Sequence, residues 1–394
     1  MIDITQKSNI KYTLFGTLYF SEGIIYALAT VILPPTLEKQ GMPLPLVTLL
    51  IGITWTPWII KFIPGIITDH FNKRGRKKFI IIGGATAVIS YLILSIINPA
   101  TETIPFVILL TIGHTGIVFL DVSADAWAIE ICKEKERGKV NAAMFGGLFI
   151  GMAIGSATLG TIAQQIGYTY LFLTTSLIIL LIILLPLNIK EKITPRKKEQ
   201  KVGKILTKEF KKRNNQLISI FAPISAISFG LLTVVVPLYM SIEFNKNLQE
   251  IGLYLTAGPI TTFIGAIIGG ISADKYGRKK TLYLFYTINI IFAAALILAD
   301  DWIKLVILYA IVGFIHGGAY TAFGALLMDN TNPKVGATQY SIYTSLANIG
   351  EMGGATISGT SIAILGFSRT FLYAGWLYGP VLLLLYKIKN KEKK

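Results

Sequence analysis

Cysteine is almost missing from this chain: Cys132 is the one copy in 394 residues, which excludes an intrachain disulfide and a thiolate metal cluster. Three histidines far apart in sequence offer no metal-ligand spacing, so no metal site is expected. Charge is scarce as well. Asp, Glu, Lys and Arg make up 15% of the residues against 53% hydrophobic ones, a balance that an ordinary soluble protein of this length does not carry. No Gly-rich loop closing on Lys-Ser or Lys-Thr is present, so neither direct ATP coupling nor any cofactor is expected. No compact nucleophile, base or metal set is evident, and the chain is not expected to be an enzyme.

The few charges are mostly of one sign, 37 basic against 21 acidic, for a formal charge of +16. In a soluble protein that excess would suggest nucleic acid, but here the basic residues stand between apolar runs rather than in one patch, so no nucleic-acid partner is expected. They mark topology. The first apolar segment is long, contains Glu22 and lacks a small-residue cleavage site, so it is read as a retained helix rather than a signal peptide.

A spanning helix needs about 20 mostly apolar residues. Hydropathy with turn and charge signals predicts an all-α membrane protein of twelve spans: 12–36, 44–69, 79–98, 103–131, 140–163, 170–189, 217–242, 251–273, 281–299, 303–328, 337–364 and 370–387. With the N-terminus inside, inner segments hold 32 Lys and Arg and outer segments hold 4, which places both termini in the cytoplasm and the chain in the cytoplasmic membrane. The remaining basic residue is Lys61, inside span 2. A basic stretch, 190–216, divides residues 1–189 from 217–394, giving two six-helix bundles joined by a cytoplasmic linker. Within the linker, Val202, Ile205, Leu206 and Phe210 fall at helical spacing, which suggests a helix lying on the anionic inner leaflet.

The two halves repeat. Span 2 ends in GIITDHFNKRGRKK (65–78) and span 8 in GISADKYGRKK (270–280), each at the second inner loop of its half. Such a repeat points to a two-lobed transporter. Gly270, Asp274, Gly277 and Arg278, with Gly65, Asp69, Gly75 and Arg76 in a first copy that carries three extra residues, resemble the loop signature of the major facilitator superfamily. YFSEGIIYALA in span 1, TPWIIKFIPGIITD in span 2, DVSADAWAIE and ERGKVNAAMFGGLFIGMAIG in spans 4 and 5, and ATQYSIYTSLANIG in span 11 are similar to the AmpG-type muropeptide permease and acetyl-CoA transporter group. The resemblance implies two pseudo-symmetric bundles in which spans 1, 4, 7 and 10 line a central cavity, spans 2, 5, 8 and 11 flank it, and spans 3, 6, 9 and 12 face lipid. The residues agree independently: 79–98, 170–189, 281–299 and 370–386 contain no Asp, Glu, Lys, Arg or His.

A carboxylate inside a lipid-spanning helix is paired, faces water, or is used. In span 4, His114, Asp121 and Asp125 are spaced by seven and four and share one face, whereas Glu130 points elsewhere at the cytoplasmic end, beside the repeated loops. Lys61 lies level with the two aspartates. It can neutralise one of them as a structural pair, and it cannot neutralise both. Glu22 shares a face of span 1 with Tyr19 and Tyr26, and Tyr340, Thr344, Asn348 and Glu351 form a comparable stripe on span 11. His114 and His316 differ by 202, the same offset that separates Gly75 from Gly277, so they occupy equivalent places in the two halves.

These patterns make Asp121, Asp125, Glu22 and Glu351 the candidates for proton coupling. Tyr19, Tyr26, Lys61, His114, His316, Tyr320, Tyr340, Thr344 and Asn348 are the candidates for the substrate cavity. Gly65, Asp69, Gly75, Arg76, Glu130, Gly270, Asp274, Gly277 and Arg278 are the candidates for the gating motif. The expected function is secondary active transport of a polar or amphiphilic solute, muropeptide-like, sugar-like or CoA-ester-like, by alternating access and coupled to protons. The expected partners are that small molecule, protons and the bilayer, with a monomer as the working unit. A folate-biopterin-like carrier or a drug exporter of the same fold is the alternative, with a non-transporting membrane sensor behind it.

The topology is testable on a Cys132-replaced protein carrying single cysteines in its loops: a cysteine at position 205 is expected to react with impermeant reagent only from the inside, and labelling from outside contradicts the 32 to 4 asymmetry.

Overall fold

The computed structural model describes residues 2–3, 8–71, 75–132, 134–191, 202–332 and 335–389. The chain folds into twelve helical spans in two halves. Nine helices among the described residues are individually long and apolar enough to cross a membrane: Asn9–Lys39, Lys77–Leu94, Thr103–Ile131, Lys139–Gln165, Tyr168–Asn188, Arg213–Ile242, Leu248–Tyr276, Arg278–Leu298 and Trp302–Asp329. Spans 2 and 12 are interrupted, and span 11 runs on into span 12.

Span 2 is three pieces, Leu44–Thr54, Thr56–Ile59 and Phe62–His70, rather than one rod. Pro57 and Pro64 carry no N–H, so the backbone ladder fails one turn before each. Spans 11 and 12 form a run, Gly336–Trp376, that turns at Gly366 with φ +74°, a left-handed conformation glycine adopts without strain, before Tyr378–Lys387 completes span 12. Span 1 widens at Leu28–Ile32 into i→i+5 bonds just ahead of Pro34 and Pro35.

Packing gathers the chain into two units. The first holds residues 1–43, 53–197 and 245–256, and the second holds 44–52, 198–244 and 257–394. Each unit therefore includes a short piece from the opposite half of the sequence. In the first, Asn247 and Glu250 form a reciprocal cap on the helix Leu248–Tyr254, and Leu248 N–H donates to Gln164 Oε1 of span 5 at 3.1 Å. In the second, Thr48 Oγ1 donates to Thr356 O at 3.0 Å and accepts from Gly359 N–H at 3.1 Å on span 11.

Small residues set the closest approaches. A Cβ at Gly147 or Gly151 of span 5 would stand 2.0 Å from Gly16 O or 2.3 Å from Phe20 O of span 1. Gly350 and Gly354 of span 11 meet Pro223 O and Ile227 O of span 7 in the same way, at 1.8 and 2.0 Å. With no hydrophobic drive between helices in lipid, such backbone approach is what holds spans together.

The linker does contain a helix, Val202–Phe210, but its inner face turns to protein. Glu209 is buried and accepts from Lys212 Nζ at 2.7 Å and Asn332 Nδ2 at 2.8 Å, while the Phe210 ring meets Tyr343 edge-on at 5.5 Å. Burial alone would raise the Glu209 carboxyl, yet the hydrogen bonds from Lys212, Asn332 and Asn215 outweigh it and hold it below the ordinary glutamate value. The helix thus docks on the second unit through a carboxylate, where the amphipathic spacing alone suggested a helix on lipid. Residues 2–3 and 189–190 pair as a short parallel ladder in the first unit.

Gly151→Leu is expected to lower unfolding stability by about 2 kcal/mol, because the neighbouring carbonyl is backbone and cannot move aside. Gly353, whose added Cβ would meet nothing within 4 Å, is the control; Gly353→Ala should stay within about 0.5 kcal/mol. Equal melting behaviour of the two variants in detergent would contradict the packing argument.

Candidate functional site

In the first unit the polar faces of spans 1, 2 and 4 converge. The spacing of Tyr19, Glu22 and Tyr26 puts all three on one side of span 1, and there Tyr19 OH donates to Asp125 Oδ1 of span 4. Trp58, from the broken part of span 2, donates its Nε1–H to Glu22 Oε1 at 3.2 Å. Lys61, three residues further along, lies within electrostatic reach of Glu22, Asp121 and Asp125. Asp121 is 4% exposed. Seven residues singled out in the sequence, Tyr19, Glu22, Tyr26, Lys61, His114, Asp121 and Asp125, are thereby brought into one neighbourhood, with one lysine among three carboxylates.

Aromatic rings wall this neighbourhood. Tyr26 meets Trp55 at 5.1 Å between centroids, Trp55 and Trp58 lie 4.5 Å apart, and His114 approaches Trp58 at 5.2 Å. His114 has no exposed surface, and its Nδ1 donates to Thr54 O at 2.8 Å. The two tryptophans were not among the sequence candidates. Their signal was the string TWTPW, in which a proline between two indoles within an apolar span both breaks the helix and turns its rings.

The second unit carries its own set. His316 stacks flat on Phe229, 3.5 Å between centroids and 3° between planes, with Tyr320 6.0 Å away and exposed. Tyr340, Thr344, Asn348 and Glu351 are half-buried along one face of span 11, and Tyr340 OH lies 3.5 Å from where a Cβ on Gly324 of span 10 would be. Among the described residues no group of three or more His, Cys, Asp or Glu is placed to hold a metal ion.

The two repeated loops are alike in backbone and unlike in burial. Gly75 and Gly277 both have positive φ, +81° and +93°, the conformation that the motif's glycine supplies before a helix start. Arg76 is 1% exposed, and its Nε and one terminal nitrogen donate to Glu130 Oε1 at 3.0 and 2.8 Å. Glu191, outside the sequence candidates, accepts from the backbone N–H of Arg76 and, at 3.2 Å, of Lys77, so its carboxylate closes the first turn of span 3. Burial pushes that carboxyl above the usual glutamate value, against the pull of the two backbone donors.

In the second loop Arg278 donates to Asp274 at 2.5 Å and reaches Asp329 at 3.3 Å, with both acids largely in the open. Gly65 and Gly270 pack beside Val122 and Thr321, at 3.6 and 3.3 Å from an added Cβ. The side chain of Asp69 lies outside the described residues.

Helices of this length, in two halves with a repeated loop, define a membrane-embedded, multi-pass transporter. The chain belongs to the Major Facilitator Superfamily, whose family model matches residues 15–225 and 218–394. It is 24% identical over 407 residues to the protein named "Putative transporter AmpG 2" of Rickettsia prowazekii (strain Madrid E), covering 97% of this chain and 99% of that one. Its fold is similar to the crystal structure of a bacterial homolog to the human lysosomal transporter Spinster, inward-facing and unoccupied, with TM-score 0.77, 14% identity and coverage of 98% and 99%. The crystal structure of a D-xylose-proton symporter is also similar, with TM-score 0.73, 15% identity and coverage of 98% and 97%.

The two arginines should differ when removed. Arg76→Ala leaves a mostly buried Glu130 without its partner and is expected to cost about 3 kcal/mol of stability. Arg278→Ala removes a surface pair and should cost under about 1 kcal/mol. Thermal unfolding of both variants checks this, and equal losses would contradict the difference in burial.

Proposed function

We infer that the protein is a proton-coupled secondary transporter that moves a polar or amphiphilic organic solute across the cytoplasmic membrane by alternating access, working as a monomer with both termini inside. The observation that carries this reading is the pairing in the first unit. Tyr19 holds Asp125 and Trp58 holds Glu22, while Lys61 is the cation acting on these two acids and on Asp121.

One lysine cannot neutralise three carboxylates removed from water. The surplus negative charge is relieved by protonation, and a solute or water entering the site changes which acid holds the proton. Asp121 and Asp125 are the first candidates for that acid, Glu22 the next, and Glu351 the counterpart in the second unit. Lys61 offsets one of the three charges, which lowers the cost of ionising the acid that gives the proton up again.

Tyr19, Tyr26 and Lys61 are proposed to contact the solute in the first unit, and His316, Tyr320, Tyr340, Thr344 and Asn348 in the second. Aromatic faces beside hydroxyls and an amide suit a solute with both apolar faces and polar groups. A muropeptide-like, sugar-like or CoA-ester-like solute is what the AmpG-type resemblance of the sequence implies, and whole-length similarity to the AmpG-named relative supports that resemblance. Glu130 and Arg76, with Asp274 and Arg278, are proposed to gate the cytoplasmic side, since opposite charges at helix ends are only partly screened there.

Asp121→Asn, Asp125→Asn and Glu22→Gln, each reconstituted into proteoliposomes, separate coupling from binding. The acid that carries the proton should lose gradient-driven accumulation while keeping solute exchange in the absence of a gradient. A structural partner of Lys61 should lose both. Full proton-driven accumulation in all three variants would refute the coupling assignment.

A further inference from the structure

Span 2 breaks where its backbone runs out of donors, and the break is closed from another helix. Pro57 has no N–H to offer Ile53 O, and the Thr56 hydroxyl takes that carbonyl at 2.6 Å. Trp58 N–H would reach Thr54 O in a continuous helix, but donates instead to Trp55 O at 3.0 Å. Thr54 O is then met by His114 Nδ1 of span 4 at 2.8 Å. A carbonyl can only accept, so Nδ1 carries the proton. The opposite nitrogen, Nε2, is buried and has no hydrogen-bond partner among the described residues. A proton there would be a buried donor with nothing to receive it, which fixes the Nδ1–H tautomer.

We propose that His114 is a positioning residue: it holds span 2 in its broken form by satisfying Thr54 O, and that break aims the Trp58 indole at Glu22. The chain of contacts is continuous within one unit. His114 is wholly buried, its ring packs against Trp58 at 5.2 Å and Trp55 at 5.9 Å, and Trp58 donates to Glu22 at 3.2 Å. Were Thr54 O released, the donor that a continuous span 2 offers it would be Trp58 N–H. Restoring that bond rotates the residues after the break, Trp58 first among them. Thr54 and His114 are both wholly buried, so no water replaces a lost partner and the choice between the two arrangements is sharp. His114 therefore acts on Glu22 through Trp58 and does not itself contact the solute. The inference rests on the transport reading only for what Glu22 does.

The side-chain geometry supplies a discriminating pair of variants. The amide nitrogen of Asn can sit where Nδ1 sits, and that of Gln where Nε2 sits, so His114→Asn can keep the bond to Thr54 O and His114→Gln cannot. Three readouts on the full-length protein in detergent, taken without solute, test the proposal apart from transport. In the ¹⁵N-histidine NMR spectrum of the wild type, the His114 signal, assigned by its loss in His114→Asn, should be that of the neutral Nδ1–H tautomer. Amide hydrogen exchange over residues 53–64 should be near wild type in His114→Asn and roughly tenfold faster in His114→Gln, as for loss of one buried hydrogen bond. The ultraviolet resonance Raman signature of the Trp58 indole N–H, isolated by difference from Trp58→Phe, should weaken in His114→Gln and persist in His114→Asn.

An Nε2–H tautomer in the wild type overturns the proposal even if a variant fails to fold. So does an unchanged Trp58 signature in a His114→Gln protein whose exchange has quickened, since His114 would then be structural alone. Failure of these readouts leaves the proton-coupling assignment standing, and failure of gradient-driven uptake leaves this one standing.

Discussion

A carboxylate in hydrocarbon needs a cation, a proton or a set of donors, and among the described residues Lys61 is the cation acting on Glu22, Asp121 and Asp125. Much of the local architecture follows from that arrangement. Span 1 must present Tyr19 to Asp125, span 2 must open far enough to present Trp58 to Glu22, and span 4 must carry both aspartates on the side facing these donors. Each hydrogen bond disperses negative charge that the single lysine does not neutralise. An arrangement with matched charges would lack the surplus on which the proposed proton exchange depends.

The backbone obeys the same rule as the side chains. A prolyl break in a membrane helix leaves carbonyls that water cannot reach, so neighbours must supply donors. Thr56 and His114 do this at the break in span 2, whereas at the start of span 8 the side chains of Asn247 and Glu250 supply acceptors to free backbone N–H groups. Elsewhere the helices hold together because glycines let backbone meet backbone, as along spans 1 and 5 or 7 and 11. Irregular backbone occurs in spans 1 and 2, the spans that carry Glu22 and Lys61.

The twelve spans, the linker helix and the shared face of Asp121 and Asp125 could all be read from the chain because each depends on local periodicity or on the membrane's intolerance of charge. That Arg76 and Glu130 both belong to the inner helix ends was also legible, but which of Asp69, Glu130 and Asp274 Arg76 would meet was not. Other features depend on tertiary partners that no spacing encodes. His114 has helical spacing to Asp121, which suggested a cavity group; its bond to Thr54 comes from a break in another helix. Glu191 sits at the start of a basic stretch, where its sequence neighbours gave no hint that it closes the first turn of span 3. Trp55 and Trp58 carry no charge to mark them, and their place beside Glu22 and His114 follows from the break in span 2. The linker helix was legible as a helix, but Glu209 at its inner face decides that it docks on protein.

The central proposal, that Glu22, Asp121 and Asp125 outnumber Lys61 and share a proton, has a direct spectroscopic test. Infrared spectra of the protein in lipid at neutral pH should contain a protonated-carboxyl C=O band that disappears in Asp121→Asn, Asp125→Asn or Glu22→Gln and persists in Glu130→Gln. A spectrum without any such band, or one whose band survives all three substitutions, would contradict the account.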